Sequence, residues 1–228
     1  PTTIFESMGI KYLGPVDGHD VNNLISVLSS AKSMAKPVLL HVITQKGRGY
    51  RPAENEPGRF HGVGPFDPET GREIRKDFTS NSAIAGQAVC RLAQEDEDIA
   101  VITAAMSTGT GMEEFQKRFP DRFFDVGIAE QHAVTMAAGL ACGGMKPIAA
   151  IYSSFMQRAY DQLLHDVALQ KLPVVFALDR AGLVGADGET HQGVYNIAHA
   201  LTMPYVDIYS PASRGELTEM LEIDEKKG

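Results

Sequence analysis

Residues 147–178 read PIAAIYSSFMQRAYDQLLHDVALQKLPVVFAL. Pro147 to Tyr152 and Pro173 to Leu178 are short, nearly continuous apolar runs, each opened by a proline. Between them, Phe155 to Leu169 has helical period. A strand that is apolar on both faces is buried on both faces, and two such strands joined through a helix make a parallel β-α-β unit. The same grammar holds on either side. Thr79 or Ser80 caps a helix through Ile84, Ala88, Val89 and Leu92. A strand at Ile99–Thr103, a short helix at 113–119, a strand at 122–126 and a helix at 129–141 follow. After Leu178 a long loop runs to Gly193, and a final strand and helix are expected beyond Tyr205. The expected fold class is α/β, a mostly parallel sheet with helices on both faces.

Upstream, Leu24, Val27, Leu28, Ala31 and Met34 mark one helix face behind an Asp20 cap, and Val38–Ile43 reads as a buried strand. From Gly47 to about Asp77 glycine, proline and charge dominate, which suggests a loop or linker and a domain boundary there. Residues 1–77 and 78–228 are therefore expected to be separate domains. Pro1 in place of an initiator Met, and the polar tail after Leu221, suggest a piece of a larger protein.

The 228 residues are 43% hydrophobic and 22% charged, with a net charge of −8. That composition supports a packed core. The acidic balance disfavours a nucleic-acid binder, and no apolar run is long enough to span a bilayer. Cys90 and Cys142 both lie in apolar periodic stretches and read as core thiols of a cytoplasmic protein. No phosphate-cradling or dinucleotide glycine motif is present, nor zinc spacing. Val16-Asp17-Gly18-His19-Asp20 superficially suggests a magnesium motif, but no Asn follows at the required interval, so it reads as a turn into the Asp20-capped helix.

Polar residues gather where strands should end, the usual place for chemistry in parallel sheets. Glu130-Gln131-His132 opens a helix, where the helix dipole alone favours a carboxylate. Tyr152 is followed by Arg158, Asp161, Gln162 and His165, which equally describe a solvated stripe. Asp179-Arg180 leads into a glycine-rich loop holding Asp187 and His191, which could be ordinary surface.

Gly14–Asp20, Lys46-Gly47-Arg48-Gly49-Tyr50, Phe60-His61-Gly62-Val63, Gly127–Val134, Ala150–Ser153, Gln157–Gln162, Asp179–Gly182 and Thr190–Gly193 form a collinear set of motifs. In these the sequence resembles the 1-deoxy-D-xylulose-5-phosphate synthase family, transketolase-like enzymes that use thiamine diphosphate. The resemblance is collinear from about Phe5 to Pro211, departing modestly at 106–111.

It implies condensation of pyruvate with glyceraldehyde 3-phosphate. By this resemblance residues 78–228 are most of a transketolase-like pyrimidine-binding domain, and 1–77 are the tail of a first, diphosphate-binding α/β domain plus linker. By the same resemblance, a third domain is expected to lie outside this sequence. The resemblance also implies a homodimer, located in the cytoplasm or plastid stroma, and Mg2+ held by ligands upstream of Pro1 rather than by this chain.

Glu130 is implied to bind the cofactor's pyrimidine N1′ and favour the imino tautomer that activates it. Phe155 would stack on the pyrimidine, and Tyr50 would contact the cofactor. Tyr152, Arg158, Arg180 and Asp187 are implied substrate residues. His61 and His191 suit proton transfer. The other histidines read as structural. Transketolase, a pyruvate dehydrogenase β-like subunit and a non-catalytic pyrimidine-binding or assembly module are the alternatives.

Overall fold

The computed structural model describes residues 3–74, 79–185 and 188–227. The chain divides into two compact units, Pro1–Asp77 and Phe78–Gly228. No helix among the described residues is long and apolar enough to cross a membrane.

In the first unit a one-turn helix α1 (Ile4–Ser7) precedes β1 (Lys11–Asp17), α2 (Val21–Ser33) and β2 (Val38–Ile43). Asp20 caps α2 by accepting from the Asn23 amide at 3.0 Å. β1 and β2 pair in parallel. The strand β1 corrects the sequence reading, which saw Val16–Asp20 only as a turn: Val16 and Asp17 belong to the ladder. Gly14 and Pro15 hide the strand because both residues are normally breakers, and the register shifts between Leu13 and Val16 to accommodate them.

The stretch from Gly47 to Ile74 is more than a linker. It carries α3 (Arg51–Asn55), a 3-10 turn at Arg59–His61 and a small aromatic cluster. In that cluster Tyr50 meets Phe60 at 5.6 Å and Phe66 at 5.9 Å between ring centroids.

The second unit runs α4 (Asn81–Glu95), β3 (Ile99–Thr103), α5 (Glu113–Arg118), β4 (Phe123–Asp125), α6 (Glu130–Cys142) and β5 (Lys146–Tyr152). The helical path then breaks into α7 (Ser153–Met156), a 3-10 turn, α8 (Tyr160–Gln162) and a π-helical turn at Leu163–Ala168. β6 (Val175–Asp179), α9 (Asn196–Ala200) and α10 (Arg214–Lys227) complete it. The sheet order is β4-β3-β5-β6, all parallel. Alternate residues of each strand face opposite sides. Ile102, Ala149 and Ile151 pack with α6 and the broken helix, while Ile99, Val101, Ile148 and Ala150 pack with α4 and α5. Each large aliphatic side chain buried this way contributes about 1.5–3 kcal/mol, so both faces must be covered.

Two expectations fail here. The segment after Tyr205 forms a helix but no strand among the described residues: Ile208 and Tyr209 remain partly exposed, and Val206 packs against a core cluster instead of joining a ladder. Cys142 is exposed, at the helix end just before Gly143 and Gly144, while Cys90 is buried as expected. Burial pushes the Cys90 thiol pKa up, which makes it inert.

Candidate active site

The chain leaves β3 toward β4 and leaves β5 toward β6, so the crossovers diverge between the adjacent strands β3 and β5. A parallel sheet opens a crevice at such a switch point, outside the carboxyl ends of its strands. The loops after β3, β4, β5 and β6 all emerge at this edge, and two strained residues lie in them. Ala105 has φ +61° and Arg180 has φ +54°. Non-glycine residues enter this region at a cost of about 1–3 kcal/mol, and such strain clusters at functional sites. Asp125 ties two of the loops together, accepting from Ala105 N at 2.8 Å and Gly127 N at 3.0 Å.

Glu130 opens α6 and is only 2% exposed. A helix dipole explains a carboxylate in the first turn, but that benefit is equally available at the surface. Burial is a separate expense, and Arg158, whose Nη1 lies 3.5 Å from the Glu130 carboxylate, repays only a small part of it. Behind it, α6 presents the small side chains Ala133, Ala137, Ala138 and Ala141 to the core.

A series of stacked groups follows from Arg158. Its guanidinium lies 5.9 Å from the Phe155 ring centroid, and Phe155 stacks on Tyr152 at 5.8 Å with an 18° interplanar angle. The Arg180 guanidinium lies 4.0 Å from the Tyr152 ring, and its Nη1 donates to the Gly109 carbonyl at 2.8 Å. His191 meets Phe155 edge-on at 5.1 Å, and its Nδ1 lies 2.9 Å from the Thr190 hydroxyl. The structure thus brings Glu130, Tyr152, Phe155, Arg158, Arg180 and His191 into one connected cluster.

Asp187 lies outside the described residues. Tyr50 and His61 belong to the first unit. There the Tyr50 hydroxyl donates to Pro68 O at 2.9 Å, and His61 Nδ1 lies 2.8 Å from Lys46 Nζ. Among the described residues no cluster of three or more His, Cys, Asp or Glu could hold a metal.

The buried hydroxyls of Ser153 and Ser154 and the Gln162 carbonyl oxygen have no hydrogen-bond partner among the described residues. The buried Glu130 carboxylate, the Tyr152–Phe155 stack and the unpartnered Ser153 and Ser154 hydroxyls next to it in the chain are groups suited to a flat heteroaromatic ring with polar edges. A cavity of about 120 Å³ adjoins the cluster, lined by Ser153, Ser154, Thr190, Asn196 and His199 among others.

Sequence reasoning missed Gly109. A Cβ there would overlap the Tyr152 hydroxyl. Gly109→Ala should displace Tyr152 and loosen the Arg180 anchor, costing about 1–3 kcal/mol in a urea melt, as overpacking does. An unchanged midpoint would show that the loop gives way freely.

A family profile described as the transketolase pyrimidine-binding domain matches residues 79–226, the whole of this cluster included. The chain belongs to that family. Residues 1–44, upstream of the pyrimidine-binding domain, match a second profile described as 1-deoxy-D-xylulose-5-phosphate synthase. Curated relatives of that name include one from Clostridium kluyveri, 55% identical over 96% of this chain and 35% of its own length. Another, from Clostridium acetobutylicum, is 56% identical over 95% of this chain and 35% of the relative. The chain spans about a third of the length of these relatives.

Among solved structures, a split-gene transketolase described as an inactive β4 tetramer is 31% identical, with a TM-score of 0.57 over 64% of this chain and 48% of that one. The transketolase of Campylobacter jejuni shares the fold, with a TM-score of 0.60 at 18% identity, over 97% of this chain and 45% of that one.

Proposed function

We propose that this chain is the central part of a 1-deoxy-D-xylulose-5-phosphate synthase, which joins pyruvate, with loss of carbon dioxide, to glyceraldehyde 3-phosphate. In this reading residues 1–77 are the end of a diphosphate-binding domain with its linker, and 78–228 are most of the pyrimidine-binding domain. The working enzyme is a homodimer, and Mg2+ is held by residues outside this chain.

The observation that carries the reading is the buried Glu130 carboxylate, joined through Arg158 to the Phe155–Tyr152 stack. The synthase is favoured over a transketolase because identity is 55% to the former and 31% to the split-gene example of the latter. Thiamine diphosphate, when bound, supplies an acidic thiazolium carbon that acts as nucleophile and electron sink. Glu130 then holds a proton at the pyrimidine N1′, with Phe155 against the ring face and Tyr50 as a further cofactor contact. Arg158 and Arg180 are both substrate residues in this reading: the exposed Arg158 guanidinium pairs with a substrate oxyanion, and Arg180 holds the Tyr152 wall of the pocket. Tyr152 and Asp187 complete the substrate pocket, and His61 and His191 serve in proton transfer.

The test uses the complete polypeptide with thiamine diphosphate and Mg2+. Carbon dioxide release from pyruvate should depend on glyceraldehyde 3-phosphate and yield a five-carbon 1-deoxyketose phosphate. Ketol transfer between sugar phosphates without use of pyruvate would make it a transketolase. Cofactor binding with no turnover would make it an assembly module.

A further inference from the structure

The loop that leaves β6 and carries His191 has a support that neither the family match nor the strand-end pattern indicates. Its base is closed by a reciprocal pair of backbone hydrogen bonds, Gly182 N to Gly193 O at 2.9 Å and Gly193 N to Gly182 O at 2.8 Å. Gly193 is buried at this base, where a Cβ would overlap the Arg180 carbonyl and come within 2.7 Å of the Ser153 hydroxyl. Between these ends the one backbone hydrogen bond described is His191 N to Gly188 O, long at 3.3 Å. A loop of this length needs other partners for its peptide groups.

The Gln192 side chain provides them. Its Oε1 accepts from Val184 N at 2.7 Å, and its Nε2 donates to Val184 O and to Gly188 O, each at 2.7 Å. The carboxamide pairs with both polar groups of Val184 as a ladder strand would, and its second N–H reaches the residue immediately before the turn Glu189–His191. One planar group therefore pins the outgoing limb and the start of the His191 turn at once. Only a carboxamide has an acceptor and two donors in that plane: an ionised carboxylate has no donor, and a thioether of the same length makes neither bond.

We propose that Gln192 is a positioning residue that fixes the loop so that the His191 ring is held against Phe155. The proposal rests on the reading of His191 as a site residue.

The test compares the complete polypeptide with Gln192→Glu and Gln192→Met. Amide hydrogen exchange should accelerate at least about tenfold at Val184 in Gln192→Met, whose thioether cannot replace the accepting oxygen, and at His191 in both variants, since both lose the Nε2 bond to Gly188 that holds its turn. Exchange at Ile148–Ile151 and the melting curve should stay near the parent, which separates a loosened loop from a failed fold. The imidazole NMR signals of His191, a single sharp set in the parent, should broaden or shift toward those of an exposed histidine while those of His132 stay put. In the enzyme assay kcat should fall about tenfold or more, with the pyruvate KM within about twofold, the signature of a misplaced group rather than lost binding.

Unchanged exchange at Val184 in Gln192→Met, or an unchanged His191 signal in both variants, would overturn the proposal. So would a loosened loop with parental kcat. If the parent itself lacks synthase activity while the exchange and imidazole changes occur, the positioning role stands and the assigned reaction fails.

Discussion

Replacing Glu130 by Gln in the complete polypeptide is expected to lower turnover by about 10²–10⁴-fold, the range for a lost acid–base group, while the melting temperature holds or rises slightly. The variant keeps the shape of the side chain. It removes the charge that would hold a proton at the pyrimidine N1′. The stability forecast follows from burial. Glu130 is 2% exposed, and Arg158, 3.5 Å away, has a side chain 53% exposed to water. A pair that is half solvated and this long repays little of the desolvation of the buried partner, so neutralising that partner costs little. A helix-start role predicts the opposite pattern: a loss of about 0.3–1 kcal/mol in stability with turnover intact. Kinetics and a thermal melt on the same preparation separate the two. Near-parental turnover would remove Glu130 from the chemistry.

How far these features could be read without coordinates depended on whether the information lay in side-chain type. Strands buried on both faces were legible because no polar residue interrupts them. Ile99–Thr103 forms with the bounds its composition suggests, and β5 and β6 lie within one or two residues of theirs. Hidden elements were those whose local chemistry argues against them. β1 contains Gly14 and Pro15, tolerated because the register slips there.

The helix expected over Phe155–Leu169 is interrupted by 3-10 and π turns, which a 3.6-residue average cannot register. The apolar residues after Tyr205 look like a strand, but strand identity is conferred by a neighbour, and among the described residues no ladder forms there.

At the candidate site the ionisable and aromatic members were legible because they sit after apolar runs. The parts contributed by the backbone were not. The Gly109 carbonyl, the positive φ of Ala105 and the peptide groups held by Gln192 have no residue-type signature. Gly109 lies in the segment where the resemblance departs, and its role emerges only from the closeness of the Tyr152 hydroxyl.

The two arginines look equivalent in sequence, and their surroundings predict different failures. Arg158 has a side chain 53% exposed, and the one polar contact described for it is the 3.5 Å pair with Glu130. Its guanidinium is available to an incoming oxyanion. Arg158→Ala is expected to raise the KM for the phosphorylated acceptor about 10- to 100-fold, the worth of a charged hydrogen bond, with little change in the melt.

Arg180 is committed already. Its side chain is 25% exposed, Nη1 donates to Gly109 O at 2.8 Å, and the guanidinium covers the Tyr152 ring at 4.0 Å. Arg180→Ala is therefore expected to cost about 1–3 kcal/mol of stability through the lost bond and the cation–π contact, and to depress kcat with both substrates as Tyr152 and the Gly109 loop move. Arg180→Lys should rescue only part of this, because an ammonium lacks the planar face that lies over the Tyr152 ring while donating to Gly109 O. Steady-state kinetics with each substrate varied, together with urea melts, distinguish the cases. A selective acceptor defect in Arg180→Ala with parental stability would reverse the assignment, making Arg180 the oxyanion ligand and leaving Arg158 as the counter-charge of Glu130.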